Sequence, residues 1–173
     1  MTKDILTVPD ERLRQRSDEV VSFDVALSKL VDDLSDTLVA QTDPIGLGLS
    51  APQIGIFKRV FVARVRNKVK AFVNPQVLKL SKKEIAYLEG CFSVPDLYGH
   101  VVRPAELDLQ AQDKQGKTSK AHYKGLPARI IQHEIDHLNG TLFVDHVHDQ
   151  NGKMFRIEKN KKGKEQLVEV AFA

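Results

Sequence analysis

Apolar residues recur along this chain at two different periods, and the switch between them organises it. After Asp24, Leu27, Leu30, Val31, Leu34 and Leu38 follow at three- and four-residue steps, the spacing that lines one face of a helix. Asp24 is a good N-cap, and Pro44 disfavours helix just before it, so a helix is predicted to about Gln41. The first 23 residues show neither period and carry Pro9; they read as irregular. Further on, VFVARV (Val60 to Val65), VKAFV (Val69 to Val73), EIAYL (Glu84 to Leu88) and ELDLQAQ (Glu106 to Gln112) are short and β-branched or alternating. Turn residues at Asn67, Asn74-Pro75 and Gly116 separate them, which predicts strands, mostly antiparallel. Leu126 to Asn139 predicts a second helix, with Pro127 in its first turn and Gly140 in the left-handed position after its last. Alternation returns from Phe155 to Val170, predicting a terminal hairpin about Asn160 to Lys164. The expected class is α+β: mostly antiparallel sheets packed around a central helix, with an N-terminal helix and a β-rich C-terminal tail over 148–173. No repeat or Ser/Gly-rich linker interrupts the chain, so 1–173 reads as one domain.

Composition narrows the class. Of 173 residues 42% are hydrophobic and 28% charged, with ten Gly and seven Pro, which excludes collagen, coiled coil and low complexity. The 26 Lys and Arg exceed the 23 Asp and Glu by only three. That excess is too small to imply a specific nucleic-acid partner, and the basic run from Lys159 to Lys164 reads as a solvated turn. Neither an apolar leader nor a span of 18 apolar residues occurs, so no membrane association is expected. The single cysteine, Cys91, forms no internal disulfide, which points to a reducing, cytoplasmic setting.

Candidate chemistry concentrates in QHEIDHLNG, Gln132 to Gly140. On a helix, His133 and His137 lie about 40° apart and about 6 Å along the axis, so both rings reach one ion. Glu134 falls near 100° from His133, while Ala128, Ile131, Ile135 and Leu138 fall between about 140° and 220°. One face is apolar and the other holds ionisable groups, with Ile130, near 60°, among them. The pattern H-E-x-x-H is a metalloprotease-type signature, in which two neutral imidazoles bind a divalent ion and the Glu takes a proton from the metal-bound water. A catalytic site needs a third ligand and an open position. Downstream, His146 and His148 lack the usual spacing; upstream lies Cys91, in EGCFSVP beside Gly90. A third segment, GLGLSAPQIG (Gly46 to Gly55), lacks the Lys-Ser/Thr of a phosphate loop. It reads instead as an extended edge whose backbone stays open to a peptide, with Gln53 as a neutral donor.

The three segments together resemble the peptide deformylase family, whose motifs are Gly-x-Gly-x-Ala-Ala-x-Gln, Glu-Gly-Cys-Leu-Ser and Gln-His-Glu-x-x-Asp-His-Leu, in this order. The chain gives GLGLSAPQ, EGCFS and QHEIDHL, and PDERLR and GTLFVD are also similar, so the resemblance covers about residues 5 to 147. Ser50 replaces the first alanine of the loop and Phe92 the leucine after the cysteine. The alternating tail differs from the C-terminal helix common in bacterial members. The resemblance implies one divalent metal ion held by Cys91, His133 and His137 on the central helix and its neighbour. Fe(II) is implied as the physiological ion, and Zn(II) or Ni(II) as possible occupants after purification. It implies Glu134 as general base, with Gln53 and the backbone N–H of Phe92 as oxyanion donors. It also implies a formylmethionyl nascent peptide paired along Gly46, Leu47, Gly48 and Leu49, its side chain near Leu47, Phe92 and Ile130. Gly90 would give close backbone approach, and contact with the ribosome would be transient. Asp136 is a candidate acceptor for an imidazole. The competing readings are an H-E-x-x-H zinc peptidase and a closed structural Cys/His site, completed by His100 or His122.

Overall fold

The computed structural model describes residues 1–171. The first long element is α1, Val25–Ala40, and its N-cap is Asp24, whose Oδ1 accepts from the Leu27 N–H at 3.1 Å. Its predicted stripe is buried: Leu27, Leu30, Val31, Leu34 and Leu38 pack with Leu49, Val60, Val62 and Val73. Those partners belong to the next elements, β1 (Gly48–Ser50), β2 (Val60–Val65) and β3 (Lys68–Leu80). A one-turn 3-10 helix, Ala51–Ile54, joins β1 to β2.

Strands β4 (Glu84–Cys91), β5 (Val94–Pro104), β6 (Glu106–Gln112) and β7 (Thr118–Lys124) lead into α2, Leu126–Leu138. A short helix α3 (Phe143–Asp149) and the hairpin β8 (Met154–Lys159) and β9 (Glu165–Val170) complete the chain. Two sheets result, ordered β1-β2-β3-β6-β7 and β4-β5-β8-β9, and every strand pair in them is antiparallel. Helix α2 lays Ala128, Ile130, Ile131 and Leu138 on Phe61, Phe72, Leu107 and Leu109 of the first sheet. The Phe61 and Phe72 rings stack there at 4.7 Å. Toward the second sheet α2 presents polar groups, and that contrast makes the site. A separate cluster of Val94, Val101, Leu142, Phe143, Val147 and Met154 fastens α3 and β8 to the second sheet.

One expectation needed revision, and three elements had none. Asn74-Pro75 is no turn: β3 runs through it with a bulge between Val73 and Gln76. Asn74 there adopts a φ of 48°, and its side chain accepts from Val20 N–H and donates to Val20 O and Gln112 Oε1. The bulge thus turns the amide to bind the backbone of Val20, tying the N-terminal segment to β3. Helix α3, β5 and β7 were not predicted: α3 is short, and β5 and β7 carry no regular apolar alternation to announce them. The terminal hairpin turns where predicted, Asn160 N–H bonding Lys164 O at 2.9 Å. Among the described residues no helix is long and apolar enough to cross a membrane.

Candidate metal centre and active site

Helix α2 places His133 and His137 one turn apart, and the end of β4 carries Cys91 to them. Cys91 Sγ lies 3.3 Å from His137 Nε2, which lies 3.3 Å from His133 Nε2. The three donor atoms all fall within 4.8 Å of one another, and among the described residues no other such group of His, Cys, Asp or Glu forms. Burial and the neighbouring His133 hold His137 well below its ordinary pKa, in the neutral form that binds cations. Burial acts the same way on His133, but Cys91 and Glu89 overcome it and raise that ring well above its ordinary value. Two imidazoles and a thiol within reach of one point fit a borderline-soft divalent ion.

Glu134, on the same turn of α2, is buried, and its Oε2 has no hydrogen-bond partner. Burial pushes its carboxyl up to about 7 although His133 pulls it down. A carboxyl at that value beside a cation site is suited to take and return a proton near neutral pH. It lines a cavity of about 360 Å³ with Leu47, Gly48, Gln53, Cys91, Phe92 and Ile130. Across the cavity Gln53 Nε2 points toward Cys91 Sγ at 3.4 Å and donates to Ser93 Oγ at 3.1 Å.

The polypeptide deformylase profile matches residues 2–153. The chain belongs to the polypeptide deformylase family. It is 40% identical over 150 residues to the peptide deformylase of Rhizobium meliloti (strain 1021), covering 84% of each. The crystal structure of the Legionella pneumophila peptide deformylase superposes with a TM-score of 0.79 at 40% identity, over 84% of this chain and 86% of that one. The Met-Ala-Ser-bound peptide deformylase of Acinetobacter baumannii gives 0.79 at 31%, over 84% and 98%. Family membership makes this chain a metal-dependent hydrolase that removes N-formyl groups from new polypeptides. The profile stops just before the terminal hairpin, where the sequence also departs from the deformylase pattern.

Within this deformylase chain the geometry sorts the remaining candidates. Strand β1 is a sheet edge. Arg64 N–H donates to Leu47 O, and alternation along the antiparallel ladder turns Leu49 toward β2 as well, leaving the backbone of Gly48 on the open side. Gly46 and Leu49 are corrections. The Gly46 N–H donates to Gln41 O and its carbonyl accepts from Arg64 Nε at 2.7 Å, so neither group is free to pair with a peptide. The Leu49 side chain is buried under α1 in the core. Gly90 and Phe92 line the cavity on either side of Cys91.

Asp136 is not the imidazole's acceptor; it accepts from Arg103 Nη1 at 2.7 Å and pairs with His146 Nε2 at 2.8 Å. Glu89 holds His133 instead, its Oε2 at 3.0 Å from His133 Nδ1. That fixes the tautomer and turns Nε2 toward Cys91. Glu89 is itself gripped by Arg103, through Nε at 2.6 Å and Nη2 at 3.0 Å, and by Arg129 Nη1 at 2.7 Å. Burial alone would raise its pKa, but His133 and Arg103 together hold it well below the carboxylate range. Sequence reading missed Glu89, Arg103 and Arg129; the one available signal was Glu89 two residues before the cysteine. His100 and His122 are exposed and lie outside the donor cluster.

Proposed function

We propose that the cavity hydrolyses the formyl group of N-formylmethionyl nascent peptides, with Glu134 as proton carrier. The observation that carries this reading is the buried, partnerless Glu134 Oε2 next to the Cys91, His133 and His137 donors, in a cavity open to a peptide edge. What a divalent cation supplies at those three donors is Lewis-acid activation of water. Glu134 accepts the proton of the attacking water and returns it to the departing amine, giving formate and a free amino terminus. The Gln53 side-chain amide and the Phe92 N–H donate to the oxygen that becomes anionic.

The peptide backbone pairs with Gly48 on the open edge of β1, and the methionine side chain enters the apolar part of the cavity at Leu47 and Ile130. The Met-Ala-Ser bound to the Acinetobacter relative is a peptide of the product type. Iron(II) is the ion we assign under physiological conditions, with zinc or nickel replacing it on handling, since a Cys/His/His set accepts all three. We place the whole chain as one catalytic domain, working in the cytoplasm in transient contact with the ribosome.

The test is anaerobic release of formate from formyl-Met-Ala alongside metal analysis. Glu134→Ala should keep near-stoichiometric metal and lose formate release; wild-type activity in that variant defeats the assignment. Gln53→Ala should lower turnover by about 10² to 10³ with metal content unchanged.

A further inference from the structure

The Gln53 amide donates usefully only if its NH₂, not its oxygen, faces the cavity. We propose that the Ser50 hydroxyl is a positioning group that holds the amide in this orientation once the Ser50 backbone N–H has set it, an inference that rests on the reading of Gln53 as oxyanion donor. Ser50 and Gln53 are both fully buried, and Gln53, third residue of the 3-10 turn, reaches back over Ser50. The Ser50 backbone N–H, which can only donate, lies 2.9 Å from one amide atom; that atom is therefore the oxygen. Ser50 Oγ lies 2.9 Å from the same Oε1, and since an amide oxygen carries no proton, the hydroxyl must donate to it. Two donors from one residue thus converge on Oε1.

A flipped amide would set its NH₂ against the backbone N–H, which therefore sets the direction, while the hydroxyl adds a second bond that holds Oε1 in place. Nε2 therefore faces Cys91 Sγ and Ser93 Oγ on the cavity side. Ser93 Oγ accepts from that NH₂ in the resting site, so it does not set the amide's direction. Ser50 also hydrogen-bonds the Glu134 carboxyl, which draws that group's pKa down against burial, and the Gln53→Ala background separates that contact from the one to Gln53. The positioning acts through Gln53, by holding donors where charge develops so that no reorientation is needed during reaction.

The test is a double-mutant cycle on the metal-bearing enzyme, with formyl-Met-Ala as substrate and kcat, KM, metal content and Tm measured for each protein. Ser50→Ala keeps the backbone donor and loses the hydroxyl. It should lower kcat by about three- to tenfold, the worth of one net hydrogen bond, with KM and metal content unchanged. Ser50→Cys, a weaker donor of similar shape, should fall between. In a Gln53→Ala background, Ser50→Ala should have no further effect on kcat, because the group it positions is gone. An equal loss in both backgrounds, an effect confined to KM, or an unchanged kcat in Ser50→Ala would overturn the proposal. Wild-type turnover in Gln53→Ala alone would instead defeat the donor reading beneath it.

Discussion

A Cβ built on Gly48 would lie 2.4 Å from Glu134 Oε1 and 2.9 Å from Ile130 Cγ2. The glycine is thus required by the carboxyl it touches, and only a backbone without a side chain lets the peptide edge and the proton carrier share this space. Gly48→Ala is expected to lower kcat/KM by more than about tenfold, since displacing a reacting group by roughly an ångström is costly. Metal content, measured alongside, should stay near stoichiometric. A residue far from the site offers an independent check of the electrostatics. Exposed His122 sits 2.7 Å from Asp108 Oδ1 and 3.1 Å from Glu106 Oε2. The Asp108 hydrogen bond, with the charges of Asp108 and Glu106, raises its pKa above the ordinary 6.5. The folded state then favours the protonated ring. Its contribution is present below about pH 6.5 and is lost as pH rises through the raised value. An NMR titration should show the elevation, and Asp108→Asn should bring the midpoint back toward 6.5.

At the scale of elements, the contact between β4 and α2 is ionic where the contact between α2 and the first sheet is apolar. Glu89 is its pivot, accepting from Arg103, Arg129 and His133 at once. Removing one partner of a buried ion group leaves the others uncompensated, so Glu89→Ala should cost about 3–5 kcal/mol of stability. Losing the imidazole's acceptor should also weaken metal binding about 10- to 100-fold. Denaturant titration and competition with a chelator read the two effects separately. This pivot could not be found from sequence, because Glu89 and His133 stand 44 residues apart and meet only through the packing of β4 on α2. The two helices behaved differently: an Asp24 cap and a regular apolar stripe wrote α1, and the wheel of α2 separated its core face from its ligand face. Strand β7 was hidden because its TSKAHYK segment is almost wholly exposed, with no apolar alternation to read. Helix α3 was too short to establish a period. The convergence of Cys91, His133 and His137, with Glu134 beside them, was legible where motif and helix geometry coincide. Peptide contacts at Gly46 and Leu49 failed because backbone pairing depends on which edge of β1 is open.

On the scale of the whole molecule, the terminal hairpin extends the second sheet rather than the catalytic cavity. Strand β8 pairs with β5 over Leu97 to Gly99, and Met154 inserts into the cluster around Val147. A chain ending at Lys153 should lose at least the roughly 1.5–3 kcal/mol that burial of one such side chain contributes. Its metal stoichiometry should not change. Thermal unfolding with metal analysis of that variant would check both halves. The central claim concerns the three donors, and it is tested most directly by X-ray absorption on the zinc-loaded protein. The account predicts one sulfur at about 2.3 Å and two imidazole nitrogens at about 2.0–2.1 Å, with the fourth position filled by an exchangeable oxygen. A shell without sulfur, or one closed by a fourth protein ligand, would contradict it.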